Sequence, residues 1–592
     1  MLRSSSGGRC LGPGRQASDT STMSSAYFVG LDLSTQALKA SLLDASLRGV
    51  DEVSVRFDVD VPEFGTSGGV LRHGHALLDE PEAVAAPVDM YVAAMDVLWD
   101  RIAEKWPVDR IVALSAAGQQ HASVYWAQGA TDLLRDVEAH APLRPQLAGA
   151  FSRAIVPNWQ DATTLDECAE LMRWADTTGG MCEVTGSMAH TRFTGAQILR
   201  WRRRHPEQYA RTERIALVSN FVTTLLLAGG ADARIAPLDQ SDACGMNLWD
   251  MRTRAWSQPL LAMVDGAQAG ALEAKLGHVV LDPRVPVGRV GTWLQRRYGL
   301  ASSCLVCQAT GDNPATLQCL TPRMGEAVIS LGTSDTVLLP SQVYTPDPTY
   351  HIFAHPVTTG EAHGTPPYFL MLVYKNGSLA REWVRDTYAG GTWAGFDAAL
   401  QSAAEPLQRG TGFFWLRPEI IPWHARGLHR FNEHDEPIEA FEDATYHVPA
   451  IVQSQCLAFK TSIDRVLRTS RTPLQRVYVV GGAAENEHVC QLLADVLGCD
   501  VARPRIVGRS AETGQRVPYN YCSVGAAFRA RWVWAVVQGE HAPFETCMTE
   551  ARGGKDAYDI VARPNPARTE AFAASVPRWT ALESRAYAEG IE

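Results

Sequence analysis

Cys307-Gln308-Ala309-Thr310-Gly311-Asp312-Asn313-Pro314-Ala315-Thr316-Leu317 places an acid between two kinds of local structure. Before it, Cys304-Leu305-Val306 is short, apolar and bounded by turn formers, which reads as a buried strand; after it, Pro314 opens a helix-like segment. Asp312 therefore sits on a strand-to-helix turn. In α/β proteins the edge outside the carboxyl ends of the strands is where ligands bind, and a helix N-terminus there favours anions. Two readings stand at this point: Asp312 or Asn313 caps the helix with Pro314 in its first turn, or the acid does chemistry.

Three further stretches bear on that choice. Tyr27–Asp44 holds two apolar runs around the polar turn Ser34-Thr35-Gln36, with Asp32 just before the turn, a hairpin pattern. Backbone N–H groups and hydroxyls of such a turn can cradle phosphates while the carboxylate holds a hydrated Mg²⁺. The pattern recurs at Gly325–Leu339, around Gly332-Thr333-Ser334. Two phosphate-type hairpins about 300 residues apart point to a duplicated architecture whose halves face each other across a cleft. Val477–Asn486 is an apolar strand running into Gly481-Gly482 and then a helix over Val489–Leu497; glycines there let backbone approach a flat ligand such as a purine. No G-x-x-x-x-G-K-[ST] and no G-x-G-x-x-G is present, so P-loop and dinucleotide readings lose their support.

Composition removes other classes. At 592 residues, with 46% hydrophobic and 20% charged, the chain can build two or more domains with substantial cores. A net charge of -11 and pI near 5.8 give no basic field for nucleic acid or an anionic membrane surface. The longest apolar run, Phe221–Ala228, falls far short of the roughly 20 residues that span a bilayer. Twelve scattered cysteines read as buried free thiols of a reducing, cytoplasmic compartment, and Cys304-x-x-Cys307 lacks a second pair at zinc spacing. Residues 1–22, rich in Ser, Gly and Arg, read as a disordered extension, with a mitochondrial presequence as the alternative.

The ordered set GLDLSTQALKASLLD, GDNPA, GEAVISLGTSDTVL and VYVVGGAAEN resembles the FGGY carbohydrate kinases, over about Tyr27–Arg529. Ala117–Ser123 and Phe193–Gln197 are most similar to the eukaryotic xylulokinase branch of that family. The resemblance implies an α/β fold of two ribonuclease-H-like domains of the actin/hexokinase ATPase type facing across a cleft. It places a sugar-binding domain over 23–321 and a nucleotide-binding domain with a tail over 322–592. The implied reaction is ATP- and Mg²⁺-dependent phosphorylation of a ketopentose. Asp312 aligns with the general base and Asp32 with the acid that orients Mg²⁺. His121, Arg192 and Asn313 align with the sugar ligands, and Thr333 is the candidate donor to the terminal phosphates. Trp393, Gly481, Gly482 and Asn486 fall at the adenosine site.

The chemistry is sufficient on physical grounds, because phosphoryl transfer needs positioning and charge neutralisation more than covalent help. Each residue also has a plainer reading: His121 as a satisfied strand-end imidazole, Arg192 as a surface cation, Gly481 and Gly482 as a strand end, Trp393 as core. Ala122, where many relatives carry glycine, bears on sugar preference. The alternatives are a kinase of ribulose, glycerol or another polyol, and a non-catalytic sugar sensor. An ATPase chaperone of the same fold would need an adjoining peptide-binding β-domain. The tail Gly539–Glu592 is charged and only weakly periodic.

Overall fold

The computed structural model describes residues 25–78, 80–176, 180–266, 269–359, 366–401, 406–470, 472–505, 507–509, 516–518, 520–554 and 558–589. The extension read over 1–22 lies outside them. In the first unit the strands are β1 (Tyr27–Leu33), β2 (Ala37–Asp44), β3 (Gly49–Arg56), β4 (Ile111–Gly118), β5 (Gly288–Arg289) and β6 (Leu305–Val306), in the order β5-β6-β4-β1-β2-β3. β1, β2 and β3 are antiparallel, while β4 and β6 run parallel to β1 and to each other. The second unit repeats that plan with β7 (Glu326–Leu331), β8 (Asp335–Ser341), β9 (His351–Ala354), β10 (Tyr368–Tyr374), β11 (Arg476–Val480), β12 (Asp500–Pro504) and β13 (Tyr558–Ala562). Their order is β9-β10-β8-β7-β11-β12-β13. β7 is antiparallel to β8 and parallel to β11, so both hairpins read from the sequence stand at the centre of equivalent sheets.

β1 explains why its sequence is apolar almost throughout: both of its faces are covered. Val29, Leu31 and Leu33 enter the core that contains helix α1 (Val88–Lys105). Phe28, Gly30 and Asp32, on the alternate face, meet a later helix. The period of two thus fixes where the acid points. The covering helices used below are α2 (Thr194–Arg204), α3 (Asp312–Leu320), α4 (Ser378–Tyr388), α5 (His447–Ser470), α6 (Glu487–Leu497), α7 (Tyr521–Val537) and α8 (Pro566–Glu589).

α7 follows the parallel strands of the second sheet yet packs on β1, β4 and α3 of the first. Its fit is backbone to backbone. A Cβ on Gly30 would lie 1.8 Å from Ser523 O, and one on Gly525 would lie 1.9 Å from the carbonyl of Ala315 in α3. Phe28 meets Trp534 edge-on at 5.7 Å. One apolar cluster therefore runs through both units, from Phe28 and Leu238 to Phe353 and Met371.

One expectation is corrected. The helix after the Asp312 turn starts at Asp312 rather than Pro314, with Gly311 as its N-cap and no side-chain cap bond. The described residues of the tail supply β13 and α8, whose buried residues Phe572, Trp579, Leu582 and Ala586 form one helical stripe. Among the described residues no helix is long and apolar enough to cross a membrane; Phe221–Leu226 belongs to a buried helix.

Candidate active site

Asp32 is the penultimate residue of β1, beside the hairpin turn, and is 1% exposed. Its Oδ2 accepts from Asn520 Nδ2 at 2.7 Å, while Oδ1 has no hydrogen-bond partner. Asn520 is the N-cap of α7, and its Oδ1 accepts from Ser523 N–H at 2.9 Å. Burial first, and then the charge of Asp312, push the Asp32 carboxyl up to about 7, against the pull of Lys39, its register partner on β2.

Asp312 reaches the same place along another strand. Thr310–Gly311 pairs with Ala117–Gly118 at the end of β4, which delivers the acid beside Gln119-Gln120-His121. Asp312 Oδ1 accepts from the Asn313 backbone N–H at 2.8 Å and from Asn313 Nδ2 at 3.1 Å, and the same amide donates to Gln120 Oε1 at 3.0 Å. Burial raises the Asp312 carboxyl to about 6, partly offset by those N–H donors. The turn is crowded: a Cβ on Gly311 would stand 2.4 Å from Gln120 Cγ and 2.8 Å from Asp242 Oδ1. Asp242 is buried, accepts from Ser219 Oγ at 2.5 Å and is pushed up to about 8 by burial. Asp239 is instead engaged by Thr310 Oγ1 and by the fully buried Arg529, a structural ion pair.

His121 holds a left-handed backbone, φ 72°, which turns the chain out of β4. Its Nδ1 lies 3.0 Å from Gly245 O; a carbonyl can only accept, so Nδ1 carries the hydrogen and Nε2 is left as an acceptor. The ring stacks on Phe193 at 4.3 Å, and the Arg192 guanidinium lies 5.4 Å from the same Phe193 ring. Burial and Arg192 hold His121 well below the ordinary imidazole value. The structure thus gathers Asp312, Asn313, His121 and Arg192 around Gln120 and Phe193.

On the facing unit Thr333 is exposed at the turn between β7 and β8. Asp335, two residues on, is held by Arg381 of α4 through two bonds of 2.8 and 2.9 Å, both side chains buried. Gly481 has φ 91°, and a Cβ there would lie 2.5 Å from Leu331 O, so the glycine lets β11 close on the hairpin; Gly482 faces open space. Asn486 caps α6 and donates to Asp397 on the helix that begins at Trp393. Trp393 is 45% exposed with the Arg385 guanidinium 4.6 Å from its ring, which corrects the plainer reading of it as core. Among the described residues no three His, Cys, Asp or Glu side chains gather as a metal cage, and every described cysteine is free.

Residues 150–319 match the N-terminal domain of the FGGY family of carbohydrate kinases, and residues 327–514 match its C-terminal domain. The chain belongs to this family. A protein of Schizosaccharomyces pombe named xylulose kinase is 39% identical over 561 residues, covering 92% of this chain and 95% of that one. Among solved structures, a xylulose kinase from Rhodospirillum rubrum superposes with a TM-score of 0.74 at 15% identity, covering 96% of this chain and 100% of that chain. Plasmodium falciparum glycerol kinase with ADP gives 0.70 at 13%, covering 96% and 98%. Those two likenesses bear on the fold alone. As an FGGY protein the chain is a carbohydrate kinase, a family for which ATP is the phosphoryl donor. Gln120 has no role in the sequence reading although it lies inside the Ala117–Ser123 motif, and nothing in that reading points to Asp242 or Asn520.

Proposed function

We propose that the protein transfers the terminal phosphoryl group of ATP to D-xylulose, giving D-xylulose 5-phosphate and ADP. The observation that carries the sugar assignment is the 39% identity, over nearly the whole chain, to a protein named xylulose kinase. Residues 23–321 serve as the sugar-binding half and 322–592 as the nucleotide-binding half, with α7 reaching back to the first sheet.

In this reading Asp312 accepts the proton of the attacking hydroxyl. Its carboxyl, lifted toward neutrality by burial, is a stronger base than an exposed aspartate yet still ionised at pH 7. Asn313, His121 and Arg192 hold the other hydroxyls through an amide, an imidazole and a guanidinium. Thr333 meets the terminal phosphates, and Gly481, Gly482, Asn486 and Trp393 line the adenosine site.

A divalent cation fits the residues at Asp32: its buried Oδ1 stands without a partner, and among the described residues no cage of three His, Cys, Asp or Glu ligands surrounds it. That donor set suits Mg²⁺, which keeps several waters and leans on substrate phosphates. When bound, the ion neutralises charge on the phosphoryl oxygens. ADP release measured over D-xylulose, D-ribulose, pentitols and glycerol tests the proposal. High turnover with D-xylulose is expected; equal rates without any sugar would refute it.

A further inference from the structure

His351 comes from β9, the edge strand of the second sheet, and β9 is docked on the first unit. Ile352 N–H donates to Gly186 O at 2.9 Å. Gly186 has φ 77°, and a Cβ on it would lie 2.2 Å from Ile352 O, so the two backbones touch. This docking carries the His351 ring under Arg192: its Nε2 lies 3.0 Å from Arg192 NH2, and its Nδ1 lies 3.0 Å from Ser187 Oγ.

An arginine has only donors, so Nε2 accepts, and Nδ1 carries the hydrogen that it donates to Ser187. The ring is 2% exposed, stacked on Phe353 at 5.6 Å and edge-on to His190 at 4.8 Å. Phenylalanine would pack in such a cluster, but it would leave a guanidinium donor unmatched. Among the described residues no carboxylate pairs with Arg192. A neutral acceptor therefore fixes the guanidinium while leaving its charge for a substrate oxygen, whereas a carboxylate in the same place would consume it.

We propose that His351 is the positioning residue for Arg192, so that the sugar pocket is completed by a side chain of the nucleotide-binding half. This rests on the reading of Arg192 as a sugar ligand. Losing a hydrogen bond to a charged group should weaken sugar binding by about 10- to 100-fold.

The test compares His351→Phe, His351→Gln and His351→Asn in the full chain, reading kcat, KM for D-xylulose, KM for ATP and the unfolding temperature. In His351→Phe the KM for D-xylulose should rise about 10- to 100-fold, with kcat and the KM for ATP within a few-fold of the parent. Glutamine places an acceptor near the Nε2 position and should restore the KM. Asparagine reaches only the Nδ1 position and should behave like phenylalanine. The Gln–Asn comparison still decides the matter if the Phe variant does not fold. Equal KM values for Gln and Asn, or loss of stability without a change in KM, would overturn the inference. Arg192→Met separates the two claims. A parental KM there removes Arg192 as a sugar ligand and this inference with it. A raised KM there beside a parental KM in His351→Phe removes the inference alone.

Discussion

Replacing Asp312 with asparagine should cost activity and add stability, a combination that a capping role does not produce. Asparagine keeps the size of the side chain and an oxygen to accept the Asn313 N–H at the start of α3. It loses the basic carboxylate, so turnover should fall by about 10²–10⁴-fold. The stability side follows from burial, which lifts the carboxyl from 3.8 to about 6. At 1.36 kcal/mol per unit, the folded protein carries at most roughly 3 kcal/mol of cost for the charged form, and the partial hydration of this carboxyl brings that to about 1–2 kcal/mol. The folded pKa lies above the unfolded one. The cost is therefore fully present above about pH 6, shrinks as pH falls from 6 toward 3.8, and vanishes below. Asp312→Asn should accordingly unfold later than the parent at pH 8, with an advantage that narrows at pH 5, in thermal melts without nucleotide. In the parent, kcat should decline as pH falls through about 6. Turnover of D-xylulose within a few-fold of the parent, or a variant less stable at pH 8 than at pH 5 relative to the parent, would refute the reasoning.

Asp32→Asn should act differently, raising the Mg²⁺ concentration needed for half-maximal rate, because the proposed task of its free oxygen is to orient a hydrated ion; an unchanged Mg²⁺ titration would count against that role. Gly30→Ala puts a Cβ 1.8 Å from Ser523 O, a clash with rigid backbone that should cost about 1–3 kcal/mol or more, and denaturant titration should show that loss. Arg381→Met strands the buried Asp335 carboxylate and should destabilise by about 3–5 kcal/mol; a variant as stable as the parent would show that the pair adds nothing net.

How much of this was legible in the sequence depends on how far apart the interacting residues lie. β1 announced itself because a strand covered on both faces is apolar at nearly every position, and its hairpin partner β2 follows within a few residues. Asp32 and Asp312 were found because each sits at a strand end with turn residues beside it, so a local pattern marks it. α8 escaped because its stripe holds only four buried residues, Phe572, Trp579, Leu582 and Ala586, among 24 positions dominated by polar and small residues. Locally Pro314 reads as the first helical residue, whereas in the fold Gly311 takes the N-cap and Pro314 occupies the third helical position.

The site's remaining members could not be read, because their contacts cross the chain. Asn520 meets Asp32 across 488 residues, and His351 meets Arg192 across 159. Nothing local distinguishes that asparagine from any other helix cap. What makes it matter is the return of α7 to the first sheet, and that return is enforced by absent side chains: Gly30 admits Ser523, and Gly525 admits Ala315 O. Backbone contact of that kind leaves little play, so one helix sets both the strand that bears Asp32 and the helix that begins with Asp312. The two carboxylates are held close enough for the charge of Asp312 to raise Asp32. A displacement of α7 would then move both acids together, which is why the glycines at positions 30 and 525 bear on the chemistry as directly as they bear on the packing.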